Sequence, residues 1–351
     1  MAIGRGHGRL FGVALTLLVI TFPPFSTRAP PAKSPAAQAQ STPPTVARET
    51  QDDSEVEVVE TNLTTLLMTA TDRKGRLVTT LRAEDVRVFE DGVAQRVTTF
   101  ERQTERPLSL ALVFDTSGSQ ARSLPDQKTA ARLFLRSVFR PDRDRAAVVS
   151  FSDGALLQQS FTNDLARLED AVEQVGAPRP PLPNSAPARA AGGGTAVYDA
   201  LFLTCYKVLA KAPTNTRRAV ILLTDGLDNG SRLRAPDAVN AAVYANAVVY
   251  GIGVGSSIDE DALSSVSEET AGRAFFPEDE GELRAAFARI EQELRSQYLI
   301  AYTPTNRVRD GKRREVRVEI AEPQLVRDKL KLAYRRHYYV RKAGAARREG
   351  R

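Results

Sequence analysis

Hydrophobic and polar positions change rhythm twice along this chain. Over residues 54–106 they alternate with period two. Glu55-Val56-Glu57-Val58-Val59, Leu66-Leu67-Met68-Thr69-Ala70, Val86-Arg87-Val88-Phe89 and Val97-Thr98-Thr99-Phe100 read as strands. Asp72-Arg73-Lys74-Gly75 and Glu90-Asp91-Gly92 supply turns between them. So short a β module buries too little apolar surface to stand alone. At Pro107 the texture becomes an almost unbroken apolar run, Leu108 to Phe114, as expected of a central strand covered on both faces. Strand and helix patterns then alternate. Helices are expected over 126–139, from Asn163 or Asp164 to 175, and over 196–209, 235–244, 259–270 and 282–293, with Asp126, either Asn163 or Asp164, and Asp259 as caps. Strands are expected over 146–151, 219–224, 247–253 and 274–276, with 156–161 as hairpin mate of the first. This is an α/β, Rossmann-like domain with a mostly parallel sheet over 107–296.

From residue 297 the two-residue rhythm returns in Tyr298-Leu299-Ile300-Ala301-Tyr302, Val316-Arg317-Val318-Glu319-Ile320 and Leu330-Lys331-Leu332-Ala333-Tyr334. These strands are also too few to stand alone. The economical reading pairs 297–341 with 54–106, so that the α/β domain is inserted in, or flanked by, one small all-β sandwich.

The N-terminus has another character. Arg5 and Arg9 precede an apolar run from Leu10 to Phe22, which suits the core of a signal peptide over 1–26. It falls short of the ~20 residues that cross a bilayer as a helix. Ala37-Gln38-Ala39 and Thr27-Arg28-Ala29 both compete as cleavage sites, so cleavage and retention as an N-terminal anchor stay open. Residues 27–53, rich in Pro, Ala, Ser, Thr and Gln, read as a disordered tether. An export signal on a chain with one cysteine, Cys205, points to a bacterial periplasm, cell envelope or secreted location. Cys205 is expected to pack in a helix as a small hydrophobe.

Charge adds little. The net charge of +6 gathers in part at the C-terminus, where 342–351 form a basic tail. A solvated end is the simplest reading, with peripheral contact to an anionic surface as the functional one and no specific nucleic-acid site. Two histidines leave no material for a His-based metal centre or triad, and no Gly-x-Ser-x-Gly elbow or phosphate-loop lysine occurs. Asp144, Asp153 and Asp228 read as solvated surface acids near strand ends.

The chemistry lies at the ends of the apolar strands, where ligands bind in open α/β sheets. Asp115 and Asp225 end two of them, and Ser117, Ser119 and Thr195 lie in adjoining loops. All five side chains offer oxygen alone, which suits one hard dication, Mg²⁺ or else Mn²⁺ or Ca²⁺, and argues against zinc or copper. Gly118 lets the first loop curl, Gly192-Gly193-Gly194 allow a close approach before Thr195, and Gly226 admits the turn after the second aspartate. With only two carboxylates the ion stays electrophilic and can accept an acidic group from outside.

Asp115-x-Ser117-x-Ser119, then Thr195 after a glycine-rich loop, then Asp225-Gly226 after an apolar strand, resembles the metal-ion-dependent adhesion site of von Willebrand factor type A domains, over roughly 107–296. The resemblance implies that the serines and threonine coordinate the ion, that the aspartates act directly or through water, and that a protein ligand presents an acidic residue. A wider similarity over 54–341, carried by Asp85 to Gly92 and the strands from Tyr298 to Tyr339, is to a bacterial group of exported VWFA-related proteins. The expected function is a non-enzymatic, metal-dependent adhesion or scaffold module. A structural envelope component with a stabilising metal is the alternative. A metal-assisted hydrolase ranks lower, because neither a two-metal carboxylate cluster nor a general base is evident.

Overall fold

The computed structural model describes residues 63–103, 106–177, 194–213 and 215–340. The leader, the tether, the strand expected over 55–59, Gly192 and Gly193, and the basic tail lie outside the described residues.

The apolar run after Pro107 forms β5 (Leu108–Asp115), buried at every position. It lies at the centre of a six-stranded sheet with β6 (Arg145–Phe151), β7 (Ala155–Thr162), β8 (Arg217–Thr224), β9 (Ala247–Gly253) and β10 (Ala274–Phe275), in the order β10-β9-β8-β5-β6-β7. All neighbours are parallel except the β6–β7 hairpin. Successive residues of β5 point to opposite faces. Leu108, Leu110, Leu112 and Phe114 enter a core with α1 (Leu124–Val138), α2 (Leu165–Glu173) and α6 (Glu280–Arg295). Ala111 and Val113 enter a second core with α3 (Val197–Leu203), α4 (Ala235–Tyr244) and α5 (Glu260–Glu269). Double coverage explains why these strands carry no polar alternation.

From β5 the chain leaves toward β6, and it later returns on the other side to β8. Adjacent strands whose connections diverge open a crevice beyond their carboxyl ends, between Asp115 and Asp225.

Several local expectations are corrected. Asp126 lies in the first turn of α1 rather than at its cap, which is Ser123. The helix expected over 196–209 is α-helical only to Leu203, then widens to a π-turn over Thr204–Val208 and tightens to a 3-10 turn over Leu209–Lys211. Apolar spacing does not distinguish these bonding patterns. Cys205 is buried in that π-turn, and burial pushes its thiol up to about 12, so it packs as a hydrophobe. Asp144 is buried, not solvated. Its carboxylate accepts the Leu108 N–H (2.7 Å) and the Arg140 N–H (3.0 Å), tying the start of β5 to the turn before β6. Asp164, Asp259 and Asp279 cap α2, α5 and α6 by accepting backbone N–H groups.

The remaining strands form two four-stranded sheets. One runs β13-β1-β11-β4, from β1 (Thr64–Thr71), β4 (Val97–Arg102), β11 (Tyr298–Tyr302) and β13 (Lys331–Tyr334). The other runs β14-β12-β2-β3, from β2 (Val86–Glu90), β3 (Val93–Gln95), β12 (Arg313–Ile320) and β14 (His337–Tyr339). Each sheet thus combines strands from before and after the α/β region: the first alternates them, and the second joins the later pair β14-β12 to the earlier pair β2-β3 through β12 and β2. Leu66, Met68, Val88, Tyr298, Ile300, Val316 and Val318 of the two sheets share one core. Buried Glu90 accepts the hydroxyls of Tyr302 and Tyr338, each at 2.8 Å, closing that core on its polar side. A short helix, α7 (Pro323–Arg327), and the strands β3 and β14 complete the set. Among the described residues no helix is long and apolar enough to cross a membrane.

One position sets how closely α5 approaches the sheet. A Cβ at Gly272, in the turn from α5 to β10, would lie 1.8 Å from the Val249 carbonyl oxygen, a backbone atom that cannot yield alone. Gly272→Ala is expected to destabilise the fold by at least about 3 kcal/mol in a urea titration, at the upper end of overpacking costs. A loss below about 1 kcal/mol would show that the turn moves freely.

Candidate metal centre

Asp115 is the last residue of β5, and Asp225 directly follows β8, its parallel neighbour. Both side chains are buried, at 0% and 2% exposure. The loop after β5 turns at once, with a 3-10 turn over Gly118–Gln120. That turn brings Ser117 and Ser119 back over the strand end. Their hydroxyl oxygens are 3.0 Å apart, and Ser119 Oγ donates to Asp225 Oδ2 at 2.6 Å. The Ser117 N–H donates to Asp115 Oδ1 (2.8 Å), and Thr224 Oγ1 donates to Asp115 Oδ2 (2.6 Å). Asp115, Ser117, Ser119 and Asp225 therefore form one connected cluster.

Thr195 joins less directly. Its N–H donates to Asn229 Oδ1 (2.6 Å), and its carbonyl accepts the N–H groups of Asn229 (3.1 Å) and Gly230 (3.0 Å). These bonds clamp it to the loop that follows Asp225. The Thr195 side chain is buried. Gly226 takes φ +79°, and a Cβ there would meet Leu263 Cγ at 2.9 Å and the Asp259 carbonyl at 3.0 Å. Only glycine lets the strand end turn that tightly.

The electrostatics of the cluster point one way. Neither buried aspartate has a cationic side chain in an ion pair among the described residues. Burial, and then the like charge of Asp225, push the Asp115 carboxyl above its ordinary range, against hydrogen bonds from Ser117 and Thr224 that pull it down. Two buried acids beside three hydroxyls fit a hard dication by donor chemistry and by charge. Among the described residues no group of three or more His, Cys, Asp or Glu is placed to hold a metal. A cation here would face only two carboxylates, so its charge would be only just balanced.

Three contributors escape sequence reasoning. Thr224 orients Asp115 from the last position of an otherwise apolar strand. Asn229 holds Thr195. Gln120 is wholly buried; its Nε2 donates to Asp225 Oδ2 (3.1 Å) and to the Val254 carbonyl (2.9 Å), while its Oε1 accepts Gln127 Nε2 (3.0 Å) from α1. The only signal was a polar residue directly after Ser119. Gln120→Leu leaves Asp225 Oδ2 with one donor fewer and the Val254 carbonyl without its side-chain donor. A loss of about 1–3 kcal/mol is expected in denaturant titration. No change beyond about 0.5 kcal/mol would mean that water replaces the amide.

Asp228 is half-buried and structural. It accepts Tyr198 N–H (3.0 Å) at the start of α3 and both the N–H (3.0 Å) and hydroxyl (2.5 Å) of Ser231. Asp153 is exposed. Gly251 and Gly253 belong to β9, where a Cβ would meet Ser267 Oγ at 3.0 Å and Phe276 Cδ1 at 2.6 Å.

Comparison with known proteins agrees with this architecture. The mouse calcium-activated chloride channel regulator 3A-1 (Mus musculus) is 26% identical over 197 residues, covering 55% of this chain and 20% of that protein. The chain thus spans about a fifth of the length of that curated relative. Proximal thread matrix protein 1 from the mussel byssus is 22% identical, with 59% of this chain and 51% of that chain covered and a TM-score of 0.45. A von Willebrand factor type A protein from Catenulispora acidiphila is 14% identical, with 80% and 73% covered and a TM-score of 0.45. The family model of the von Willebrand factor type A domain matches residues 109–289, more than half of the 351 residues, and this chain belongs to that family.

Proposed function

We propose that this chain is an exported, non-catalytic binding module that holds one divalent cation, Mg²⁺ or else Mn²⁺ or Ca²⁺, and through it captures an acidic residue of a protein partner. Domains of this family bind a divalent metal and mediate contacts between proteins. The carrying observation is the pair of buried aspartates, Asp115 and Asp225, with no cationic side chain to balance them and with serine hydroxyls bonded across them. Ser117, Ser119 and Thr195 would hold the ion by their hydroxyls, and Asp115 and Asp225 by charge. The ion supplies an electrophilic positive centre that an outside carboxylate can complete. The protein's share is positioning: Thr224 and the Ser117 N–H aim Asp115, and Gln120 and the Leu227 N–H (3.1 Å) aim Asp225.

The test uses the full chain and immobilised peptides that differ only as Asp or Glu against Asn or Gln. Capture by the acidic set in Mg²⁺, lost in EDTA and absent with the amides, is expected. Equal capture of both sets, or capture that survives EDTA, would sink the adhesion reading. A metal-dependent rise in melting temperature without capture would favour the structural alternative. Export to a bacterial envelope rests on the Arg5–Phe22 leader pattern. Fractionation of a bacterial host expressing the chain with its leader decides it, with recovery in the cytosol as the contrary result.

A further inference from the structure

At the opposite end of the six-stranded sheet, where β8 and β9 begin, a pocket of about 110 Å³ lies between the α/β domain and the sandwich. Leu67 and Leu299 of the sandwich and Val248 of β9 give it apolar walls. Arg217 and Arg335 also line it.

Among the described residues both guanidinium groups donate only to neutral oxygens, and that of Arg335 also lies over the Tyr338 ring, 5.8 Å from its centroid. Arg217, at 9% exposure, donates from Nε to the Arg106 carbonyl (3.0 Å) and from Nη1 to the Leu294 carbonyl; its Nη2 makes no hydrogen bond among the described residues. Arg335 donates from Nη1 to the Val243 carbonyl (3.2 Å) and Asn246 Oδ1 (3.1 Å), and from Nη2 to the Thr65 carbonyl. Its Nε is buried and without a partner. No carboxylate pairs with either group among the described residues. Asp144 and the Tyr250 phenol favour the charged Arg217, yet the Asp144 oxygens are committed to backbone N–H groups, and Arg140 and Arg143 add like charge. Burial pushes both guanidinium groups down to about 10, so both remain charged at neutral pH.

Buried charges are as a rule paired, and an unpartnered buried donor calls for a water or an ion. We infer that this pocket is a binding site for a small carboxylate, whose head meets Arg217 and Arg335 and whose short apolar body lies against Leu67, Val248 and Leu299. Guanidinium donors match a planar carboxylate in pairs, which a spherical ion cannot use. A volume of about 110 Å³ is room enough for an acid as small as propionate. A free acid and the carboxylate end of a peptide share this chemistry. The site is separate from the metal centre and does not depend on it.

The test is calorimetric titration and thermal shift of the full chain in EDTA, with propionate as probe and chloride and sulfate at matched ionic strength as controls. Saturable binding of propionate, with a melting-temperature rise that chloride and sulfate do not reproduce, is expected. A Kd weaker than about 10 mM, or equal shifts with all three anions, overturns the site. Arg335→Gln is expected to weaken propionate at least about tenfold, as loss of a charge-assisted pair does. If that variant does not fold, Asn246→Gly keeps the positive φ of +50° while removing the amide that steadies Arg335, and it should weaken binding several-fold. Unchanged affinity in whichever variant folds contradicts the assignment. A second arm compares propionate with a tripeptide bearing a free C-terminus and its C-terminal amide. Binding of propionate alone identifies a free acid, and binding of both carboxylates identifies a peptide end. Binding of the amide as well would overturn recognition by charge.

Discussion

Asp115→Asn is expected to raise the melting temperature of the metal-free chain and to abolish the further rise that Mg²⁺ confers. In the metal-free chain two acids lie buried side by side, and Asp115 is held above its ordinary range by burial and by Asp225. The asparagine is close to isosteric. Its carbonyl can still accept the Ser117 N–H, while its amide can meet Thr224 Oγ1 from the donor side. The substitution therefore removes a buried charge without opening a cavity. With cation at about a hundred times its Kd, the wild-type chain gains about 2.7 kcal/mol, or roughly 5–10 °C for a domain of this size. The variant gains none.

The pH dependence gives a second readout. A carboxyl whose folded pKa is raised binds more protons in the folded than in the unfolded state. Metal-free stability is therefore lost as pH climbs from the unfolded value near 3.8 through the raised folded one. Calorimetry in EDTA from about pH 4 to about pH 7 should show that decline in wild type, with its Asp115 share missing in the variant. A variant that is less stable without metal, yet equally responsive to Mg²⁺, would show that Asp115 neither faces Asp225 nor touches the ion.

Truncation after Ser296 is expected to unfold everything before Pro107 while leaving the α/β domain folded. Without β11, the sheet β13-β1-β11-β4 loses both its middle and an edge, so β1 and β4 have no partner. Without β12, the β2–β3 hairpin stands alone, and isolated hairpins are marginal in water. The shared core loses Tyr298, Ile300, Tyr302, Val316 and Val318 at once. Amide hydrogen exchange over 64–103 should rise to the rates of free peptide, while β5, β8 and β9 stay protected and the chain still binds Mg²⁺. Persistent protection over 64–103 would mean that the first half of the sandwich is a unit in its own right.

Legibility from sequence followed burial. β9 and α4 lie where the pattern placed them, and β5 and β8 differ only by residues at their ends, because strands covered on both faces and helices with one apolar stripe carry strong signals. β3, β14 and α7 were not anticipated. They are short, and most of their residues are exposed or half-buried, so nothing in their apolar spacing sets them apart from loop. The order of Asp115, Ser117, Ser119, Thr195 and Asp225 was readable because strand ends and glycines frame it. The contributions of Thr224, Asn229 and Gln120 were not. Polar residues that act through the backbone of a distant loop have no periodic signature. Asp144 was misjudged for the same reason: a buried acid satisfied by two backbone N–H groups looks, in sequence, like any surface aspartate.

Interleaving of the two sheets has a mechanical consequence. The α/β domain is attached to the sandwich by two peptide crossings, one between β4 and β5 and one between α6 and β11. Were a partner held at Asp115 and Asp225, as proposed, a pull on it would divide between these two covalent crossings in parallel. Tension applied between β1 and β14 instead enters and leaves within the sandwich, and would load its strand pairings first. The proposed grip would thereby be decoupled from load across the sandwich.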